Sequence, residues 1–167
     1  EPMTGPLGGT RVVDLSSGMA GPMATMLLAD HGADVVKVEP PGGDPARSLT
    51  GARVWHRGKR SIELDVDHDD DRASLLGLID RADVVVESFR PGVMDRLGIG
   101  YAQLSARNPR LVYCSISAFG QSGPYRDRPS HDLGVEAVSG VLSVSQGRDG
   151  QPAIPAVAAA DMVASLQ

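Results

Sequence analysis

Apolar residues fall along the chain in short blocks that switch between a strand-like and a helix-like period. Thr10-Arg11-Val12-Val13-Asp14-Leu15 is a β-branched run and predicts a buried strand. Ser16 to Pro22 follows as a loop, with Pro22 suited to a first helical position, where its missing N–H costs nothing. Met23, Met26, Leu27 and Ala29 then form one face of a helix that Gly32 ends. Further strands are predicted over 34–39, 61–66, 82–87 and 111–116, and Leu75, Leu76, Leu78 and Ile79 mark the apolar face of another helix. Pro40-Pro41-Gly42-Gly43-Asp44-Pro45 excludes regular structure. Strands alternating with helices at crossover spacing predict an α/β fold, a Rossmann-like parallel sheet with helices on both faces. After Gly120 the alternation stops. A polar loop over 121–130, a helix over 133–145 and a helix opening at Pro155 and running to Gln167 without a stop signal complete the pattern.

Composition narrows the function. The chain has 167 residues, 16 Lys or Arg against 21 Asp or Glu, and a net charge of −5. The length allows a real core. The acidic balance argues against nucleic acid, whose binding needs clustered cations. No apolar run reaches membrane-spanning length, and the N-terminus lacks a secretory pattern. Cys114 is the single cysteine, which fits a reducing cytoplasm and excludes an intrachain disulfide. Glu1-Pro2 ahead of Met3 reads as an expression scar, so residues 1–5 are set aside as scar and leader.

Several motifs fail on their chemistry. Asp65-Val66-Asp67-His68-Asp69 begins like a calcium loop, but Asp70 replaces the glycine and Leu76 the glutamate that such a loop requires. His31, His56, His68 and His131 show no ligand spacing, so no metal site is expected. No G-x-S-x-G is present, and Gly18-x-x-Gly21 is only half of a dinucleotide fingerprint. What remains is a basic cluster, Arg57-Gly58-Lys59-Arg60, a polar loop, Arg128-Pro129-Ser130-His131-Asp132, and Asp161 among small apolar residues. A carboxylate in such a setting is paired, neutral, functional, or an N-cap of its helix; His131 is equally readable as an ordinary cap.

The chain resembles the class III coenzyme A transferase family, which also contains the α-methylacyl-CoA racemases. The resemblance runs from Pro6-Leu7-Gly8-Gly9-Thr10-Arg11-Val12-Val13-Asp14-Leu15 through Ala20-Gly21-Pro22, Pro41-Gly42-Gly43-Asp44-Pro45 and Gly58-Lys59-Arg60-Ser61. It is strongest over Ala82-Asp83-Val84-Val85-Val86-Glu87-Ser88-Phe89-Arg90-Pro91-Gly92 and continues to Arg96-Leu97, Phe119-Gly120-Gln121-Ser122-Gly123-Pro124-Tyr125 and Asp161. It implies that residues 6–167 are the N-terminal, CoA-binding part of a Rossmann-like large domain, with the small domain absent from this chain. It implies an interlocked homodimer and acyl-CoA and carboxylic acid substrates, with no permanently bound cofactor. Asp161 is the implied catalytic carboxylate, with His131 and Asp132 beside it. CoA is implied along Gly18, Met19 and Ala20, at Lys59 and Arg60, and at Arg96 and Leu97. Independently, the phosphates of CoA need cations, and these are among the few clustered ones in an acidic chain. Pro40 stands where some relatives carry an adenine-stacking arginine.

His131-Asp132 is racemase-like, as is Ser139-Gly140-Val141-Leu142-Ser143, and an imidazole opposite a carboxylic acid is a sensible proton-transfer pair. Leu133-Gly134-Val135-Glu136, the Tyr113 segment and Ala160-Asp161-Met162 read as transferase. The sequence thus predicts CoA transfer through an aspartyl-CoA intermediate, with racemisation by His131 and Asp161 as the alternative and an inactive CoA-binding fragment as a third reading.

Overall fold

A computed structural model describes residues 5–167. The scar-and-leader reading of residues 1–5 lies outside the described residues except at Gly5. Five strands form one sheet: β1 (Arg11–Leu15), β2 (Asp34–Glu39), β3 (Arg60–Glu63), β4 (Val84–Glu87) and β5 (Val112–Ser115). Every pairing is parallel, in the order β3-β2-β1-β4-β5. Helices α1 (Ala20–Asp30), α2 (Ala52–Trp55), α3 (Asp69–Ile79), α4 (Val93–Arg96) and α5 (Tyr101–Arg107) lie in the connections. Parallel neighbours need such crossovers, because a tight turn cannot return the chain to the same end of the sheet.

Both faces of the sheet are covered, as the sequence predicts. Val12, Val35 and Val86 pack with Ala29 and Ala33 on the α1 side. Val13, Val38 and Val85 point the other way, onto Leu75 and Ile79 of α3 and Leu104 of α5. Adjacent residues choose opposite faces because side chains alternate along a strand. Leu75 and Ile79 are fully buried, and truncating either to alanine carries the usual core penalty of about 2–5 kcal/mol.

Several predicted boundaries move. β3 ends at Glu63, short of Val66. Leu64 N–H still donates to Glu39 O at 2.9 Å, after which Asp65 turns the chain by accepting from the Asp67 N–H at 3.1 Å. Pro22 is the third residue of α1, a position whose N–H also has no intrahelical acceptor. The single helix predicted over 133–145 is two helices, α6 (Asp132–Ser139) and α7 (Val141–Val144), because Gly140 adopts φ 86° between them. The last helix, α8, spans Ala159–Ala164 rather than starting at Pro155, since Ala158 at φ −75°, ψ 76° is outside the helical region. It closes at Ser165, whose N–H donates to Asp161 O at 3.2 Å.

The topology fixes where a ligand can sit. β1 has β2 on one side and β4 on the other, so the loops leaving the ends of β1 and β4 diverge and leave a crevice between them. Gly21 brings the start of α1 hard against β1, since a Cβ there would lie 2.3 Å from Ser16 Cβ.

Candidate active site

A cleft of about 880 Å³ opens at that crevice, a volume within the range of small-molecule sites. Ser17, Gly18, Met19 and Ala20 form one edge, and Ser88, Phe89, Arg90 and Pro91 form the other. The edges are stitched together: Ser17 N–H donates to Ser88 Oγ at 2.8 Å, and Ser88 Oγ–H donates to Ser17 O at 3.2 Å. The loop from Arg126 to His131 and the α8 residues Ala160, Asp161 and Ala164 complete the wall.

Asp161 is half-buried on the first turn of α8. It is not the helix cap, which falls at Ala158. Its N–H donates to Asp132 Oδ1 at 3.0 Å, a contact that joins α8 to the start of α6. Burial, then the neighbouring Asp132 charge, push the Asp161 carboxyl above the usual aspartate range, against the opposing pull of His131. The result is a poorly solvated carboxylate facing a cleft. His131 stands at the N-cap position of α6, but its side chain makes no capping bond; its backbone carbonyl accepts from Gly134 and Val135 instead. Its ring is exposed and lines the cleft that Asp161 also lines.

The site residues named from sequence therefore separate. Gly18, Met19, Ala20, Arg96, His131 and Asp161 meet at the cleft, with Asp132 directly behind Asp161. Lys59, Arg60 and Leu97 do not line it. Lys59 is turned inward, its side chain 1% exposed, and donates to Asp14 Oδ2 at 2.9 Å, Thr25 Oγ1 at 2.6 Å and Pro22 O at 2.8 Å. All three ammonium protons are thereby used, which leaves none for a phosphate. Burial pulls the Lys59 ammonium below its ordinary value, although the Asp14 contact opposes this. Arg60 lies on edge strand β3 with a bidentate grip on Asp34. Leu97 packs on the core.

The cations named from sequence thus fall in different settings, Arg96 on the cleft and Lys59 and Arg60 away from it. Four arginines line the cleft: Arg90, Arg96, Arg126 and Arg128. Arg90 and Arg96 have no carboxylate partner among the described residues. Arg126 pairs with Asp127 at 2.8 Å and donates to Gln121 O, while Arg128 stacks on Tyr125 at 4.3 Å. Gly92 lets two of these approach, for a Cβ at its φ of 83° would sit 3.3 Å from Arg126 Nη2 and 3.8 Å from Arg96 Nη1. Arg90 was findable in the sequence, because it closely follows a strand on the sheet side where α/β ligands bind. Arg126 and Arg128 belong to a loop with no periodic signal. Among the described residues no group of His, Cys, Asp and Glu could hold a metal, and no helix is long and apolar enough to cross a membrane.

Comparison with known proteins accords with this geometry. The model of CoA-transferase family III matches residues 7–167. An acetyl-CoA:oxalate CoA-transferase of Acetobacter aceti is 45% identical over 158 residues, covering 89% of this chain and 40% of that protein. A succinyl-CoA:mesaconate CoA-transferase of Haloarcula hispanica is 46% identical over 165 residues, covering 89% of this chain and 42% of that protein. The crystal structure of Rv3272 from Mycobacterium tuberculosis superposes with a TM-score of 0.91 at 40% identity, over 99% of this chain and 47% of that one. The chain thus spans less than half the length of these relatives. With a family match over nearly its whole length, on a parallel α/β sheet of the same shape, the chain belongs to CoA-transferase family III.

Proposed function

We infer that the protein moves coenzyme A from an acyl-CoA donor to a carboxylic acid acceptor, with Asp161 as the nucleophile. The observation that carries this reading is a half-buried, underprotected carboxylate facing a cleft whose other walls bear four arginines. The Asp161 carboxylate attacks the donor thioester carbonyl, the C–S bond breaks, and a mixed anhydride forms with release of CoA thiolate. The thiolate attacks the aspartyl carbonyl of the anhydride, giving an aspartyl-CoA thioester and the free donor acid. The acceptor carboxylate attacks that thioester, again expelling thiolate, and thiolate attack on the acyl carbonyl yields the new acyl-CoA and regenerates Asp161. One difficult exchange becomes four acyl transfers of similar energy. Poor solvation of Asp161 raises its nucleophilicity, and the Asp132 acceptor on its backbone N–H holds it in place. Arg90, Arg96, Arg126 and Arg128 supply the charge for the CoA phosphates, a part that the resemblance gives to Lys59, Arg60 and Arg96.

The same reading includes a homodimer with interlocked chains, supported by the exposed Val144, Ile154, Val163 and Leu166 along the C-terminal stretch, and a cytoplasmic location in keeping with the lone thiol Cys114. Racemisation is the second reading, because His131 and Asp161 line one cleft. The relatives named above are transferases. Incubating the full polypeptide that carries this sequence with acyl-CoA and then hydroxylamine or borohydride is expected to modify Asp161, as read by peptide mass. Unmodified Asp161 together with α-deuterium uptake from heavy water, lost in His131→Ala, would establish the racemase instead. CoA binding with neither reaction leaves the inactive third reading.

A further inference from the structure

The α1 face of the sheet buries four ionisable groups beneath the cleft: Asp14, Lys37, Glu39 and Asp44 are each at most 3% exposed. Burying charge is costly unless every group is paired, and here the pairs run in a chain. Arg47 forks onto Glu39. Glu39 Oε2 also accepts from the Asp44 N–H at 2.8 Å. Asp44 Oδ1 accepts from Ser17 Oγ–H at 2.8 Å and from Ala46 N–H at 2.8 Å. Lys37 Nζ lies 3.1 Å from Asp44 Oδ2 and donates to the Ser16 carbonyl. Asp14 holds Ser16 from the other side, accepting from its N–H at 2.9 Å and its Oγ–H at 2.5 Å.

The chain ends on Ser16 and Ser17, the residues that lead into the cleft edge Gly18-Met19-Ala20. Ser17 itself is exposed, so its position depends on polar contacts, these bonds and the reciprocal pair with Ser88. We propose that Asp44 is a positioning residue of the cleft: by accepting from Ser17 Oγ and pairing with the Lys37 that holds the Ser16 carbonyl, it fixes the Ser17–Ala20 edge against the CoA moiety. Asp44 does not line the cleft and acts only through Ser17 and Lys37. The role rests on the CoA-binding reading of the cleft and adds to it a second layer, anchored in the loop after β2.

A double-mutant cycle in the full polypeptide carrying this sequence tests it, with coenzyme A as the probe. Asp44→Ala and Ser17→Ala are each expected to weaken CoA binding about fivefold to tenfold, and the double variant no further than Asp44→Ala alone. Hydrogen exchange of the unliganded proteins is expected to speed at the amides of Ser17 and Gly18 by about tenfold, with Val85 and Val86 of β4 unchanged. Ser17→Thr, which keeps the hydroxyl, should exchange at residue 17 more slowly than Ser17→Ala, and this pair carries the test if Asp44→Ala does not fold; equal exchange in the two overturns the proposal. Parent-like affinity and exchange in a folded Asp44→Ala protein, or single effects that multiply in the double variant, overturn the proposal. A parent protein that binds no CoA overturns the functional reading, and the exchange measurement then judges the positioning role on its own.

Discussion

Lys37 and Lys59 lie under α1 with side chains 3% and 1% exposed, each surrounded by acceptors from the loops around it. Arg90 and Arg96 stand at the cleft, exposed and without a carboxylate partner among the described residues. Both groups are cations close to the same crevice. The difference lies in what satisfies them. A lysine ammonium saturated by Asp14, Thr25 and Pro22 is part of the fold's internal accounting of charge. A guanidinium left open to solvent is available to a ligand. Burial and hydrogen-bond saturation therefore separate the internal cations from those open to a ligand here, and sequence position does not.

Removing an internal cation should give the largest effect. Lys59→Met leaves Asp14, fully buried, without its nearest counter-charge. Breaking one side of a buried pair typically costs about 3–5 kcal/mol, so chemical denaturation should show a loss on that scale, or no folded protein. Asp14 adds a pH signature. Burial alone would raise its carboxyl, but Lys59, Lys37 and the hydroxyls of Ser16 and Thr25 outweigh this and hold it below the usual range. A depressed carboxylate contributes stability above the ordinary aspartate value, and that contribution is lost as pH falls through the folded value. In the parent this acid-side loss should appear below about pH 4. A Lys59→Met protein of parental stability would mean that the pair is not formed.

Cleft cations should behave the other way. Arg96→Ala is expected to leave the melting temperature within a few degrees and to raise KM for acyl-CoA about tenfold, with kcat changed less than threefold. That corresponds to about 1.4 kcal/mol of uniform binding. The effect should shrink at high salt, as expected of an exposed phosphate contact. An unchanged KM, or a loss of stability in place of affinity, would put Arg96 with the internal set.

This contrast also marks what the sequence could and could not disclose. The central strands were legible because both faces of a parallel sheet are buried there, so Val12-Val13, Val35-Val36 and Val84-Val85-Val86 appear as apolar runs, whereas β3, exposed at all four residues, was legible through alternation. Asp161, His131 and the Gly18-Met19-Ala20 edge were legible through resemblance, and the cleft brings them together. The inward turn of Lys59 was not legible because its partners are distant in sequence: Asp14 is 45 residues away and Thr25 is 34. No local pattern reports such a contact. The break at Gly140 was hidden for a different reason, since a glycine is tolerated within a helical pattern until tertiary packing selects its left-handed conformation.

His56 offers a smaller test of the internal set. Its ring nitrogens are buried without hydrogen-bond partners, and Nε2 lies 4.0 Å from Asp44 Oδ2. Burial, then Lys37 and Lys59, pull its pKa below the ordinary histidine value, while Asp44 and Glu39 oppose them. The folded protein thus resists protonation at His56 more than the unfolded chain does. Its contribution is complete above about pH 6.5 and declines as pH falls from there toward the folded value. Thermal unfolding of the parent between pH 8 and pH 5 should show a decline that is shallower in His56→Gln. Equal slopes in the two proteins would place the ring in contact with solvent rather than beside the internal lysines.

The smallest effect belongs to the cation that fits neither set. Arg60 is bidentate to Asp34, yet the two side chains are 69% and 52% exposed. Water screens the pair, and ordering two long side chains offsets what attraction remains, so such contacts contribute about 0–1 kcal/mol. Arg60 sits on β3, whose four residues are all exposed, and it does not line the cleft. Arg60→Ala should therefore change the denaturation midpoint only slightly and leave KM for acyl-CoA at the parental value. A KM increase comparable to that of Arg96→Ala would show that Arg60 reaches bound CoA, and would restore the basic cluster before β3 to the phosphate site from which the geometry of Lys59 removes it.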